Sequence, residues 1–178
     1  RLLSFIKTLI KAEKDYKIIS GFGLGIGSVV INGALDFKLN SNYRNLDDLL
    51  ILRPFPQIQS GTKSIPEVWT DYRNEMISKA GIAVFVFGNK KVGDDIVNSN
   101  GMEEEFEICL QHNVIPIPIG ATGYVSKSLW DKVTSELQVY YPDNTELHNA
   151  ITELGKDNPT KEEIINNTIK AISILQKL

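Results

Sequence analysis

Four glycines alternate with other residues in Ser20-Gly21-Phe22-Gly23-Leu24-Gly25-Ile26-Gly27, directly after the run Tyr16-Lys17-Ile18-Ile19. A strand that ends in residues without side chains and turns into a helix lets backbone N–H groups approach an anion closely, and the helix N-terminus adds partial positive charge there. A tight turn that lets the helix pack on a sheet would need the same glycines. Their number, and their place between a strand and a helix, favour a phosphate or nucleotide site.

Charge to match such an anion is available at a few positions. Arg53 stands in Leu52-Arg53-Pro54-Phe55-Pro56-Gln57, and Lys90 in Gly88-Asn89-Lys90. The start of a helix at Gly101-Met102 adds further backbone donors. Phe22, Phe55 and Phe87 are each able to stack on a base or to pack in the core, and Phe87, inside a predicted strand, is expected in the core. Arg73 shares one helix face with Trp69, Tyr72 and Met76 at three- and four-residue spacing, so it needs a partner on an apolar side. That partner is either a carboxylate, Glu75 or Glu105, or a phosphate or ribose. Glu105, one turn into its own helix, suits either a solvated first-turn acid or a bidentate acceptor for ribose hydroxyls.

Other chemistries find little support. His112 and His148 are isolated from each other and from Cys109, which argues against a metal centre. There is no Gly-x-Ser-x-Gly and no Gly-x-x-x-x-Gly-Lys-Ser/Thr, so neither a serine hydrolase nor a P-loop nucleoside triphosphatase is indicated. Cys109 sits among Phe106, Ile108 and Leu110 and reads as a core thiol, in keeping with a reducing compartment.

The elements that must position these groups alternate. A helix marked by Ile26, Val29, Val30, Ala34, Leu35 and Phe37 follows the glycines, and Leu49 to Leu52 reads as a buried strand closed by Arg53-Pro54-Phe55-Pro56. Ser64-Ile65-Pro66-Glu67 starts a helix to about Lys79, with Ser64 and Glu67 forming a capping box. Gly81 to Gly88 is the clearest strand and is expected mid-sheet; Asn89 to Asn100 reads as a polar loop, and Gly101 opens a helix through His112. Val114 to Gly120 is a strand demoted toward an edge by Pro116 and Pro118. Helices are predicted over 126–137, 145–154 and 161–178. Such alternation implies an α/β fold with a doubly wound parallel sheet, whose ligands bind at the rim where strands end.

The whole-chain numbers set outer bounds. With 178 residues, 42% of them hydrophobic and 23% charged, the chain has the makings of one ordinary globular domain. A net charge of −3 gives no general attraction to nucleic acid or to an anionic membrane, and neither a signal peptide nor a membrane span is indicated. The chain begins at Arg1, already inside the apolar helix face Leu2, Leu3, Phe5, Ile6, Leu9 and Ile10. Residues 1–16 are therefore expected to be a linker helix from a preceding domain, and residues 17–178 the domain that holds the candidate nucleotide site.

Taken together, the glycine loop, the arginine helix, the strand Ile82 to Phe87 and Gly101-Met102-Glu103-Glu104-Glu105 resemble the SLOG superfamily, a Rossmann-like group that includes the LOG enzymes. LOG enzymes carry Gly-Gly-x-Gly-Thr-x-x-Glu after the central strand. Here the last glycine and the glutamate are kept at that spacing, Met102 replaces threonine, and a polar insertion replaces the paired glycines. Gly21 to Gly25, Leu52 to Gln57 and Gly88 to Lys90 extend the resemblance, nearly end to end, to the C-terminal SLOG (STALD) domains of Thoeris anti-phage effectors. That resemblance implies a bacterial, cytoplasmic receptor for a cyclic ADP-ribose isomer, with no catalytic chemistry and no cofactor of its own. It also implies a homo-oligomer that switches on a preceding SIR2-like NAD+-degrading domain. Carried over by position, Arg73, Lys90 and Glu105 would be the main ligand contacts, with Gly21, Phe22, Gly23, Leu24 and Gly25 facing the phosphates. Arg53, Gly88, Asn89, Gly101 and Met102 complete the expected set. The alternatives are a LOG-type phosphoribohydrolase using Arg73 and Glu105, or an oligomerisation domain that binds no ligand.

Overall fold

A computed structural model describes residues 17–22, 26–40, 45–59 and 61–177. The predicted linker helix over 1–16, and Gly23, Leu24 and Gly25, lie outside the described residues. The chain divides into two compact units, Arg1–Met76 and Ile77–Leu178.

In the first unit, β1 (Ile18–Ser20) leads through α1 (Ile26–Leu39) to β2 (Leu50–Leu52), and then to α2 (Ile65–Ile77), whose last residue belongs to the second unit. β1 and β2 pair in parallel, Ile18 opposite Leu50 and Ser20 opposite Leu52. The ladder continues at each end, with Ile18 N–H donating to Leu49 O (2.8 Å) and Arg53 N–H to Ser20 O (2.9 Å). Val30 and Ala34 of α1 are buried, as are Leu49 and Leu50, giving the pair an apolar cover. A Cβ at Gly27 would fall 2.8 Å from backbone atoms of Phe22, so α1 can start this close to the exit of β1 only with glycine there. At the start of α2, one Glu67 carboxylate oxygen accepts from both Ser64 N–H (2.8 Å) and Ser64 Oγ–H (2.7 Å). The serine hydroxyl thus serves the carboxylate, a variant of the predicted box.

The second unit begins with β3 (Ile82–Phe85), followed by β4 (Asn89–Val92), β5 (Asp95–Asn98), α3 (Asn100–Gln111) and β6 (Ile115–Pro118). It ends with α4 (Tyr124–Ser135), the short α5 (Leu137–Tyr140), α6 (Thr145–Glu153) and α7 (Lys161–Leu175). β3 and β6 are parallel, from Ile82 opposite Ile115 to Phe85 opposite Pro118. Among the described residues each pairs with the other alone. β6 tolerates two prolines because its donors alternate. Ile115 N–H reaches Gly81 O (3.0 Å) and Ile119 N–H reaches Phe85 O (2.9 Å), so Pro116 and Pro118 fall on the edge away from β3, where no donor is needed. On that edge the Pro116 carbonyl accepts from the buried Tyr141 hydroxyl (2.6 Å). Phe106, Ile108 and Cys109 from α3, Ile117 and Ile119 around β6, and Val125, Leu129 and Val133 from α4 form the core. α6 packs along α7 through Leu147, Ala150, Ile151, Ile165 and Ile172.

The expected loop over 89–100 is instead an antiparallel hairpin. β4 and β5 pair Asn89 with Asn98 and Val92 with Asp95 across the turn Gly93-Asp94, with Gly93 at φ 62°. Every residue from Asn89 to Asn98 is exposed, so strand pairing here buries nothing and leaves no apolar stretch to read.

Among the described residues no helix is long and apolar enough to cross a membrane, and no three His, Cys, Asp or Glu side chains are grouped to hold a metal ion.

Candidate functional site

The first unit brings several of the nominated residues together where β1 and β2 end. Phe22 leaves β1 with φ 55°, its N–H donating to Ser20 Oγ (3.2 Å) and its ring exposed. Beyond β2, the ring of Phe55 fills the space beside Gly21: a Cβ on Gly21 would meet Phe55 Cε2 at 2.6 Å and Met76 Sδ at 3.6 Å. Arg73 on α2 places its guanidinium 5.2 Å from the centre of the same ring, and Tyr72 tilts against it at 6.2 Å. Trp69 Nε1 donates to Pro56 O (2.7 Å), fastening the Pro54–Pro56 loop to α2. Trp69, Tyr72, Arg73 and Met76 thus act on one side of the helix, as their spacing predicts.

Two arginines, Arg53 and Arg73, bring positive charge to this cluster. A guanidinium over an aromatic face is attracted by the ring, which fixes where the Arg73 charge sits. The Nε atoms of Arg53 and Arg73 are both buried, and that of Arg53 meets no acceptor among the described residues. A buried donor without an acceptor costs about 1–3 kcal/mol, which an anionic ligand would offset.

The remaining nominated residues lie in the second unit. Gly88, at φ 90°, is buried against α3 and α4: a Cβ would fall 2.5 Å from Met102 Sδ and 2.7 Å from Val125 Cβ. Its carbonyl accepts from Ser99 N–H (2.8 Å), closing the base of the β4–β5 hairpin. Asn89 and Lys90 are exposed on β4, and Lys90 Nζ donates to Asn100 Oδ1. That contact ties the lysine to the first residue of α3, where Gly101 and Met102 follow. Glu105 lies one turn further along α3 and is half-buried. Burial, and then the charge of Glu105, push the Cys109 thiol up to about 12, so this fully buried cysteine is the inert core thiol that its neighbours predict.

Phe87 departs from expectation. It lies beyond the end of β3 with φ 60° and 38% of its surface exposed, so the core-packing reading is wrong for it. The strand stops two residues earlier because Phe87 N–H donates to Thr122 Oγ1 (2.8 Å), and its carbonyl accepts from Ser126 N–H (2.9 Å). Asn100, Thr122 and Ser126 were not singled out from the sequence. The Gly120-Ala121-Thr122-Gly123 turn at the end of an apolar strand was the available signal.

Parallel strand pairs joined through helices, with glycines, cations and aromatics where the strands end, define a Rossmann-like α/β domain of the SLOG kind. The model of STALD, the Sir2- and TIR-associating SLOG family, matches residues 1–176, and the chain belongs to that family. Relatives include a protein named NAD(+) hydrolase ThsA from Cytobacillus dafuensis, 42% identical over 97% of this chain and 35% of its own length. A protein of the same name from Bacillus cereus (strain MSX-D12) is 43% identical over 96% of this chain and 36% of its own. One from Enterococcus faecium is 40% identical over 80% and 29%. The chain therefore spans about a third of the length of the curated relatives that it matches most fully.

Proposed function

We propose that this chain is a regulatory domain that binds a cyclic ADP-ribose isomer of the 3′-linked kind and, in a longer protein, switches on a preceding SIR2-like domain that degrades NAD+. In this reading the domain works within a bacterial cytoplasmic homo-oligomer in anti-phage defence, and does no chemistry itself. The observation that carries it is the Arg73 guanidinium held over the Phe55 ring, which packs against Gly21, with Phe55 two residues along from Arg53 and its unmatched buried donor. A pyrophosphate needs cations with fixed geometry, and that cluster offers them. Lys90 is proposed as a further phosphate contact and Glu105 as the acceptor for ribose hydroxyls. The names of the ThsA relatives, and the family's association with Sir2 and TIR domains, support the link to NAD+ degradation.

Calorimetry with 3′-linked cyclic ADP-ribose tests the reading. The purified chain binds it, and Arg73→Ala and Glu105→Ala each weaken binding by about 10- to 100-fold, the loss of one charge-assisted hydrogen-bonding group. Unchanged affinity in both variants would overturn the site, and no binding by the natural chain would overturn the receptor.

A further inference from the structure

β3 and β6 run parallel with Phe85 opposite Pro118, so both release the chain at one rim. Two aromatic residues emerge there in the left-handed backbone region that residues with a Cβ seldom occupy: Phe87 at φ 60° and Tyr124 at φ 52°. The two residues are 38% and 44% exposed. The polar groups around them are engaged with the backbone instead. Ser126 is fully buried, and its Oγ donates to Phe85 O at 2.9 Å with Ile119 O at 3.0 Å. Thr122 Oγ1 donates to Ile119 O (2.7 Å) while accepting from Phe87 N–H (2.8 Å). The backbone of Phe87 is thus clasped from both sides of Tyr124, by Thr122 and by Ser126 N–H (2.9 Å).

An unfavourable backbone conformation persists only where its surroundings over-determine it, and such places cluster at ligand clamps. Here the clasp keeps two aromatic faces at the end of a parallel strand pair, the place where ligands of open α/β sheets bind. A planar base is the ligand chemistry that gains most from such faces, because stacking needs only a π-surface. We propose that Phe87 and Tyr124 form the base-stacking platform for the adenine of the nucleotide, with Thr122 and Ser126 as positioning residues beneath it. This assignment rests on the reading that the chain binds a nucleotide.

The test uses the natural chain with two probes, 3′-linked cyclic ADP-ribose and inorganic pyrophosphate, which has no base. Phe87→Leu and Tyr124→Leu, checked for an unchanged ligand-free Tm, are expected to weaken the cyclic nucleotide about tenfold each. Both should leave competition by pyrophosphate as it was. Phe87→Tyr and Tyr124→Phe keep the ring and should keep the affinity. In the natural chain, the adenine H2 and H8 proton resonances should move upfield on binding, a measurement that needs no variant. Leucine variants that bind like the natural chain, or adenine resonances that do not move, would overturn the platform while the nucleotide reading stands. A natural chain that binds neither probe would overturn the nucleotide reading and the platform with it.

Discussion

Glycine plays two different parts among the nominated residues, and substitution separates them. At Gly21 the obstacle to a side chain is the far edge of the Phe55 ring, a group that can swing away. Gly21→Ala is therefore expected to leave the Tm nearly unchanged and to weaken nucleotide binding, because the displaced ring is the one beneath Arg73. At Gly88 both the positive φ and the flanking Met102 and Val125 resist a side chain. Gly88→Ala should cost about 2 kcal/mol or more, combining overpacking with left-handed strain, and show as a lower denaturation midpoint with or without ligand. Tyr141 offers a control at a residue with no proposed ligand contact. Tyr141→Phe leaves the Pro116 carbonyl on the proline edge of β6 without its donor and should cost about 1–2 kcal/mol, with affinity intact.

The elements were legible where burial imposed a period. α2, α3 and α7 follow from their apolar spacing, and β6 from an apolar run whose prolines announced an edge. The hairpin over 89–98 was missed because all of its residues are exposed and its strands pair through the backbone without a buried face. The one sign of it was Gly93-Asp94 between Lys91-Val92 and Asp95-Ile96, a turn pair that specifies a hairpin without a hydrophobic face. Phe87 was misread for a related reason, since a hydrogen bond donated to a threonine 35 positions later ended its strand early. At α7 the capping signal Thr160-Lys161-Glu162-Glu163 is realised in full. The Thr160 hydroxyl accepts from Glu163 N–H (3.2 Å), and the Glu163 carboxylate accepts from Thr160 N–H (2.7 Å). Thr160→Ala should cost about 1 kcal/mol. The Thr160 backbone bond, and then its hydroxyl, hold the Glu163 carboxyl below its ordinary value of 4.5. A carboxylate depressed by folding stabilises the fold above its unfolded pKa and loses that contribution as pH falls through its folded value. Chemical denaturation at a series of pH values should thus show Glu163→Gln losing less stability than the natural chain between neutral pH and the region below 4.5.

For the molecule as a whole, the distinction that matters is between holding a nucleotide and consuming it. The nominated residues divide between Arg1–Met76 and Ile77–Leu178. A receptor stabilised by ligand gains free energy by mass action, about 2.7 kcal/mol when ligand is present at 100 times its Kd. For a chain of this length that corresponds to an upward shift in Tm of about 5–10 °C. 3′-linked cyclic ADP-ribose should produce such a shift, and incubation for hours before the scan should leave it unchanged with the nucleotide recovered intact. A LOG-type phosphoribohydrolase would instead release free base from a nucleoside monophosphate, and any stabilisation by that monophosphate would decay as it was consumed. Raising salt adds a further discrimination, because binding that depends on Arg53, Arg73 and Lys90 meeting phosphates weakens as those charges are screened. A shift insensitive to both time and salt would leave the nucleotide held without its phosphates, and would remove the guanidinium cluster from the site.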